Sequence, residues 1–170
     1  IEYMYQTLST LDDAIAMGGN EGDNLHPETE TIRQQINTAM SDDFNAAAAL
    51  GHLYDLLRAA NDWTKKKRKL VGRITTLRAI REVVTEAASI FGILERPPEE
   101  ALGEIRECDV ARLGLDVEWI EGRLVARTTA RKEKDFAQAD NIREELAAKQ
   151  VAVMDTPQGT TWGVIRANIE

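Results

Sequence analysis

From Ala46 to Trp63 the apolar side chains recur at helical spacing: Ala46, Ala49, Leu50, Leu53, Tyr54, Leu57, Ala60 and Trp63. That is the period of one helical face. Ser41-Asp42-Asp43 stands just before it and supplies capping oxygens, so a helix is expected from about Asn45 to Lys66. The same period recurs on both sides. Ile1, Met4, Tyr5, Leu8, Leu11 and Ile15 predict a helix over 1–17, stopped by the polar loop Gly18–Asn24. Pro27 suits the first turn of a second helix carrying Ile32, Ile36 and Met40. Ile74, Leu77, Ile80, Val84, Ala87, Ala88 and Phe91 predict a fourth over about 71–91, closed by Gly92. Four helices with short connections read as an antiparallel four-helix bundle.

The chain has 170 residues, room for one domain or two small ones. Three Trp, three Tyr and three Phe are its whole aromatic content, so the core rests on Leu, Ile, Val and Ala, which favours helices. The single Cys108 excludes an internal disulfide framework and a thiolate metal cluster. No catalytic or metal-ligating spacing is visible in the first half, and His52 is expected to be structural or superficial. One thiol, no apolar N-terminal run and no run of membrane-spanning length point to a cytoplasmic protein without a membrane segment. The helical pattern is already under way at Ile1, which suggests a piece of a longer chain.

The net charge of −8 argues against indiscriminate nucleic-acid binding but not against local binding. The basic residues are clustered. Lys65, Lys66, Lys67, Arg68 and Lys69 form one run, equally readable as a solvated face. Arg123, Arg127, Arg131, Lys132 and Lys134 form another.

Residues 95–115 read as a linker, opened by Pro97-Pro98 and continued by acidic residues of weak periodicity. Asp116 then caps a helix with Val117, Ile120, Leu124 and Val125 on its inner side. Asp135 and Gln138 form a capping-box arrangement ahead of a helix from Phe136 to about Lys149. Val151, Val153 and Asp155 alternate with Ala152 and Met154. Thr156-Pro157-Gln158-Gly159 is a turn signal, and Thr160–Val164 returns as a strand. The second unit is thus a small α+β domain of two helices and a β-hairpin, and the whole chain is mainly α.

On the Phe136–Lys149 helix, Ala139, Ile142 and Leu146 share one face, while Phe136, Asp140 and Arg143 share another. An aromatic beside Asp and Arg, just after a basic helix end, is suited to stacking on an unpaired base, with the carboxylate accepting from a base edge. Spacing alone leaves a bland alternative open. Phe136 could staple the helix start, Asp140–Arg143 could be an ordinary ion pair, Asp155 could cap the Pro157 turn, and Trp162 could pack the hairpin.

The pattern R-x-x-A-R-K-x-K-D-[FW]-A-x-A-D-x-I-R-x-x-L, followed by D-T-P-Q-G-T-x-W, resembles the C-terminal domain of bacterial cysteinyl-tRNA synthetases. It is carried here by residues from Arg127 through Asp135, Phe136, Asp140 and Arg143 to Leu146, then by Asp155–Thr160 and Trp162. Met40-Ser41-Asp42-Asp43-Phe44-Asn45 resembles that family's M-x-D-D-F-N element. Tyr3–Leu8 is similar to the helix that follows its catalytic core.

The resemblance implies a DALR-type bundle over 1–94 on the stem side of the tRNA, and an anticodon-binding domain over 116–170 that reads GCA. It implies that Phe136 stacks on the first anticodon base, that Asp140 and Asp155 read base edges, and that Arg131 contacts anticodon bases or backbone. Arg127, Lys132 and Lys134 would hold phosphates. The implied partners are tRNA(Cys) and an N-terminal catalytic domain, in a monomer. ATP, Mg and Zn would serve that catalytic domain; none is expected on this chain. The HIGH and KMSKS signatures and the catalytic zinc ligands are missing from the sequence, so the chain by itself is expected to be inactive as a class I ligase.

Two departures matter. Many relatives have Trp where this chain has Phe136. The position before Val151, often Gly in the family, is Gln150, so the helix end must avoid or tolerate the left-handed conformation. Two other classes compete: a helical protein-interaction module without RNA binding, and the related cysteine ligase of thiol-cofactor biosynthesis. The basic helix end and the Asp-Thr-Pro-Gln-Gly-Thr segment favour RNA.

Overall fold

The computed structural model describes residues 1–156 and 159–165, with the side chains of 156 and 159 left aside. Pro157 and Gln158, the centre of the expected turn, lie outside the described residues. The chain divides into two compact units, Ile1–Leu102 and Gly103–Glu170.

The first unit holds α1 (Glu2–Ala16), α2 (Glu28–Ser41), α3 (Ala46–Thr64) and α4 (Arg73–Ile90). The four-residue α2–α3 connection makes these two neighbours antiparallel. The α1–α2 connection is much longer, and it frees α1 from lying beside α2. Instead α3 and α4 pack on each other, and α1 and α2 each lie against both. The core follows the expected stripes, except that Ile1 and Tyr54 lie exposed. Met4, Leu8 and Leu11 meet Ile32, Ile36, Leu53, Leu57, Leu77, Ile80 and Val84. Leu56 and Val83 join it although the sequence reading left them out, because the α3 and α4 stripes face neighbours on two sides.

Asn45 caps α3, its side-chain oxygen accepting from the Ala48 amide at 3.1 Å. The turn before it is tight enough to hold Asp43 and Phe44 at φ 51° and 55°. The α3–α4 connection is tied to the α1–α2 loop. Gly72 donates to the Glu21 carbonyl, the Leu25 amide donates to the buried Thr76 hydroxyl at 2.8 Å, and that hydroxyl donates to the Gly72 carbonyl at 2.9 Å. The lysine run 65–69 is exposed on this connection.

The stretch read as a linker is largely a helix, α5 (Pro98–Leu113), in which the division between units falls. Pro98 occupies the first helical position, where its missing N–H costs nothing, and Glu99 and Glu100 favour the positive end of the helix dipole. Its apolar residues gather into no single stripe, which is why periodicity did not reveal it.

The second unit contains α6 (Val117–Lys132), α7 (Phe136–Ala148) and the antiparallel strands β1 (Val151–Thr156) and β2 (Gly159–Val164). Asp116 and Asp135 cap the helices, accepting from Trp119 and Gln138 amides at 3.0 Å. Ile120, Leu124, Ile142, Leu146, Val151 and Trp162 form the core. Arg106 stacks 3.8 Å from the Trp162 ring centroid, and the indole N–H donates to Glu121 at 2.7 Å. Trp162 is therefore the packing residue of the hairpin. Val117 and Val125 are exposed, 39% and 68%, rather than facing inward. Arg127 takes the place on the Ile120–Leu124 stripe that Val125 was expected to share.

Gln150 does tolerate the left-handed conformation, at φ 61°, while its amide donates to the Ala147 carbonyl at 2.9 Å. A β-carbon in that region costs about 1 kcal/mol. Gln150→Gly is therefore expected to stabilise the second unit by about 1 kcal/mol, read as a raised urea midpoint with an unchanged slope. No helix among the described residues is long and apolar enough to cross a membrane.

Candidate nucleic-acid interface

The site is built where α6 ends and α7 begins. The α6 end is a Schellman turn. Lys134 sits at φ 63°, donating to the Arg131 carbonyl, and the Asp135 amide donates to the Ala130 carbonyl at 2.9 Å. This turn fixes Arg131 and Lys132 in the last turn of α6, Lys134 at its corner and Phe136 at the first position of α7.

Phe136 is 63% exposed and packs on neither core cluster. Its neighbours on that face, Asp140 and Arg143, are also exposed. Among the described residues they make no ion pair with each other, so the simple i,i+3 pair does not form. Ala139, Ile142 and Leu146 are buried on the other face, as the spacing requires. The exposed Lys132 and Lys134 have no carboxylate partner among the described residues.

The hairpin brings Asp155 to the same place. Val151, Val153 and Asp155 share one face of β1, and the Val151–Val164 register sets Asp155 opposite Thr160. Arg127 grips the carboxylate in a fork, Nη1 to Oδ1 at 3.0 Å and Nη2 to Oδ2 at 3.1 Å. Arg131 Nη1 donates to Oδ2 at 2.6 Å, and the Thr160 hydroxyl donates to Oδ1 at 3.0 Å. These donors, Arg127 first, hold the Asp155 carboxyl far below the usual carboxylate range against the opposing effect of burial. The Asp155 hydrogen bond raises the Arg127 pKa in turn, and the nearby Asp140 charge adds to it.

The structure thus brings Arg127, Arg131, Asp140 and Asp155 into one electrostatic cluster, with Phe136 on the exposed face that carries Asp140. It separates Arg127 from its expected phosphate-holding role. That residue is only 8% exposed and both its terminal nitrogens are committed to Asp155. The sequence held a signal for this. Ile120, Leu124, Arg127 and Arg131 follow the spacing of one stripe, so Arg127 had to point inward. Thr160 was not singled out as a site residue; its strand register opposite Asp155 is what reveals it.

Elsewhere in this unit, Arg123 pairs with Glu145 across α6 and α7. A cavity of about 400 Å³ lies between Leu113, Trp119, Ile120 and Gln150, with the Lys149 ammonium 5.0 Å from the Trp119 ring centroid. No three His, Cys, Asp or Glu side chains among the described residues come together as a metal site.

Two domain families match the chain. The DALR domain covers residues 35–95, and the cysteinyl-tRNA ligase anticodon binding domain covers 118–162. A bundle of the first kind followed by a unit of the second defines the helical C-terminal region of an aminoacyl-tRNA synthetase.

Sequence relatives narrow the class. The cysteine–tRNA ligase of Nitratidesulfovibrio vulgaris (strain Miyazaki F) is 43% identical over 140 residues, covering 81% of this chain and 29% of that protein. That of Anaeromyxobacter sp. (strain Fw109-5) is 38% identical over 165 residues, 96% of this chain and 33% of the relative. A rice protein, the chloroplastic/mitochondrial cysteine–tRNA ligase CPS1 homolog, is 34% identical over 167 residues, 94% and 29% respectively. The chain belongs to the cysteine–tRNA ligase family and corresponds to the C-terminal region of its members. It spans about a third of the length of the curated relatives it matches.

Proposed function

We propose that this chain is the tRNA-binding region of a cytoplasmic cysteine–tRNA ligase, and that its second unit recognises the GCA anticodon of tRNA(Cys). Activation of cysteine with ATP belongs, on this reading, to a catalytic domain that acts with it. The observation that carries the reading is Phe136, a large aromatic 63% exposed at a fixed helix start, flanked by cations and carboxylates. Unpaired bases stack on such rings, and no packing role accounts for this one.

The parts divide by chemistry. Phe136 supplies a sequence-tolerant stacking face. Asp140 and Asp155 accept from base amino and imino groups, which phosphate-binding cations cannot do. Lys132 and Lys134 hold phosphates through salt-dependent attraction. Arg127 acts from inside, through Asp155. The family match at 118–162 includes all of these residues and supports the same assignment.

Binding of an anticodon stem-loop bearing GCA, compared at two salt concentrations with one altered at the first anticodon base, tests the reading. A preference for GCA that survives the higher salt is expected. Equal or absent binding refutes it and leaves a helical protein-interaction module. Phe136→Ala is expected to weaken GCA binding by ~1–3 kcal/mol while the thermal midpoint stays within a degree or two of the parent. An equal loss of stability would return Phe136 to a packing role.

A further inference from the structure

The four hydrogen bonds on Asp155 are not equivalent. Arg127 reaches both carboxylate oxygens from a side chain only 10% exposed, whereas the Arg131 side chain is 48% exposed. Arg131 and the Thr160 hydroxyl take one further position on each oxygen. A carboxylate has about four acceptor positions, so Asp155 has none left for a base in this state. Something must leave before Asp155 can read anything.

Physical chemistry decides which donor leaves. An exposed ion pair exchanges with water and other donors at little cost. Withdrawing the carboxylate from Arg127 would instead strand a buried guanidinium, whose Nε already lacks a partner among the described residues. The fork therefore stays and the outer contact opens.

We propose that Arg127 is a positioning residue that holds Asp155 as a base acceptor, and that Arg131 is its displaceable cover, leaving Oδ2 when the amino group of an unpaired base arrives. This rests on the anticodon-reading function proposed above. The released Arg131 keeps its charge at the site and transfers to a backbone phosphate. The Thr160 hydroxyl stays as the strand-side donor. The fork also keeps the carboxyl ionised, hence acceptor-only, so a base edge presenting only acceptors cannot displace Arg131.

The test uses four stem-loops: GCA, and three versions in which one exocyclic amino group is replaced by hydrogen (inosine, pyrimidin-2-one or purine at the corresponding base). The parent chain is expected to lose roughly tenfold in affinity for the loop whose missing amino group faces Asp155. Arg127→Lys keeps the charge and loses the fork. It should shrink that penalty to about twofold by weakening GCA and the other two deamino loops, which keep that amino group, roughly fivefold, while leaving binding of the loop that lacks it unchanged. Arg131→Gln should retain the penalty while weakening all four loops alike, with a shallower salt dependence.

If Arg131→Gln abolishes the penalty while Arg127→Lys preserves it, Arg131 reads the base and the proposal is wrong. If Arg127→Lys weakens all four loops by one factor, Arg127 is merely structural and the proposal is again wrong. A parent chain that prefers GCA yet binds the three deamino loops alike overturns the proposal and leaves the anticodon reading intact. A parent chain with no preference for GCA overturns both. Should Arg127→Lys fail to fold, guanidinium NMR of the parent chain decides the matter. On adding the GCA loop, the Arg127 Nη resonances should persist and those of Arg131 should shift. Unchanged Arg131 resonances would overturn the exchange.

Discussion

Gly72→Ala is expected to destabilise the first unit by about 3 kcal/mol, lowering its thermal midpoint by roughly 15 °C. Two effects add. Gly72 sits at φ +82°, a conformation that costs any residue with a β-carbon about 1 kcal/mol. A β-carbon there would also stand 2.3 Å from the Asp23 carbonyl oxygen and 3.0 Å from Leu25 Cγ, so backbone has to move. That movement pulls apart the Leu25–Thr76–Gly72 hydrogen bonds that join the two loops. Calorimetry of the variant checks this, and a shift under about 4 °C would mean that the loops separate freely.

Arg127→Met is expected to cost the second unit about 2 kcal/mol. Removing one partner of a wholly buried pair costs more, but Asp155 is 45% exposed and keeps Arg131 and Thr160. The sign of the pH dependence follows from the lowered Asp155 pKa. The stability it contributes is complete above the unfolded-state carboxyl pKa of about 3.9, and it is lost as the pH falls from there toward the lower folded value. Hydrogen exchange of the β1 and β2 amides between pH 6 and pH 3 should therefore show a steeper acid loss in the parent chain than in Arg127→Met. Equal slopes would mean that Arg127 is not what holds Asp155.

Asp155 shows how far reading the chain alone reaches. Its alternation with Val151 and Val153 put it on the inner strand face, and the motif around it marked it as functional. Nothing local could say that its acceptor positions are already occupied, because Arg127, Arg131 and Thr160 reach it from two other elements. The α5 helix was hidden for a different reason. Capping and dipole effects at Pro98–Glu100 stabilise it, while its side chains follow no single stripe, and periodicity is blind to such a helix.

The sequence by itself determined the helices of the bundle, the caps at Asp116 and Asp135, the hairpin strands and the exposed stripe of Phe136 and Asp140. These depend on spacing and on backbone chemistry within a few residues. The cap of α3, by contrast, falls on Asn45 and not on the expected Ser41-Asp42-Asp43. Only the tertiary structure decided that α1 lies against α3 and α4, that Gln150 is held left-handed, and that Arg127 serves Asp155 rather than a phosphate. Those outcomes turn on which distant groups arrive together and which are shut away from water. A buried guanidinium must find its carboxylate inside the protein, and only the packed α6–hairpin contact supplies one.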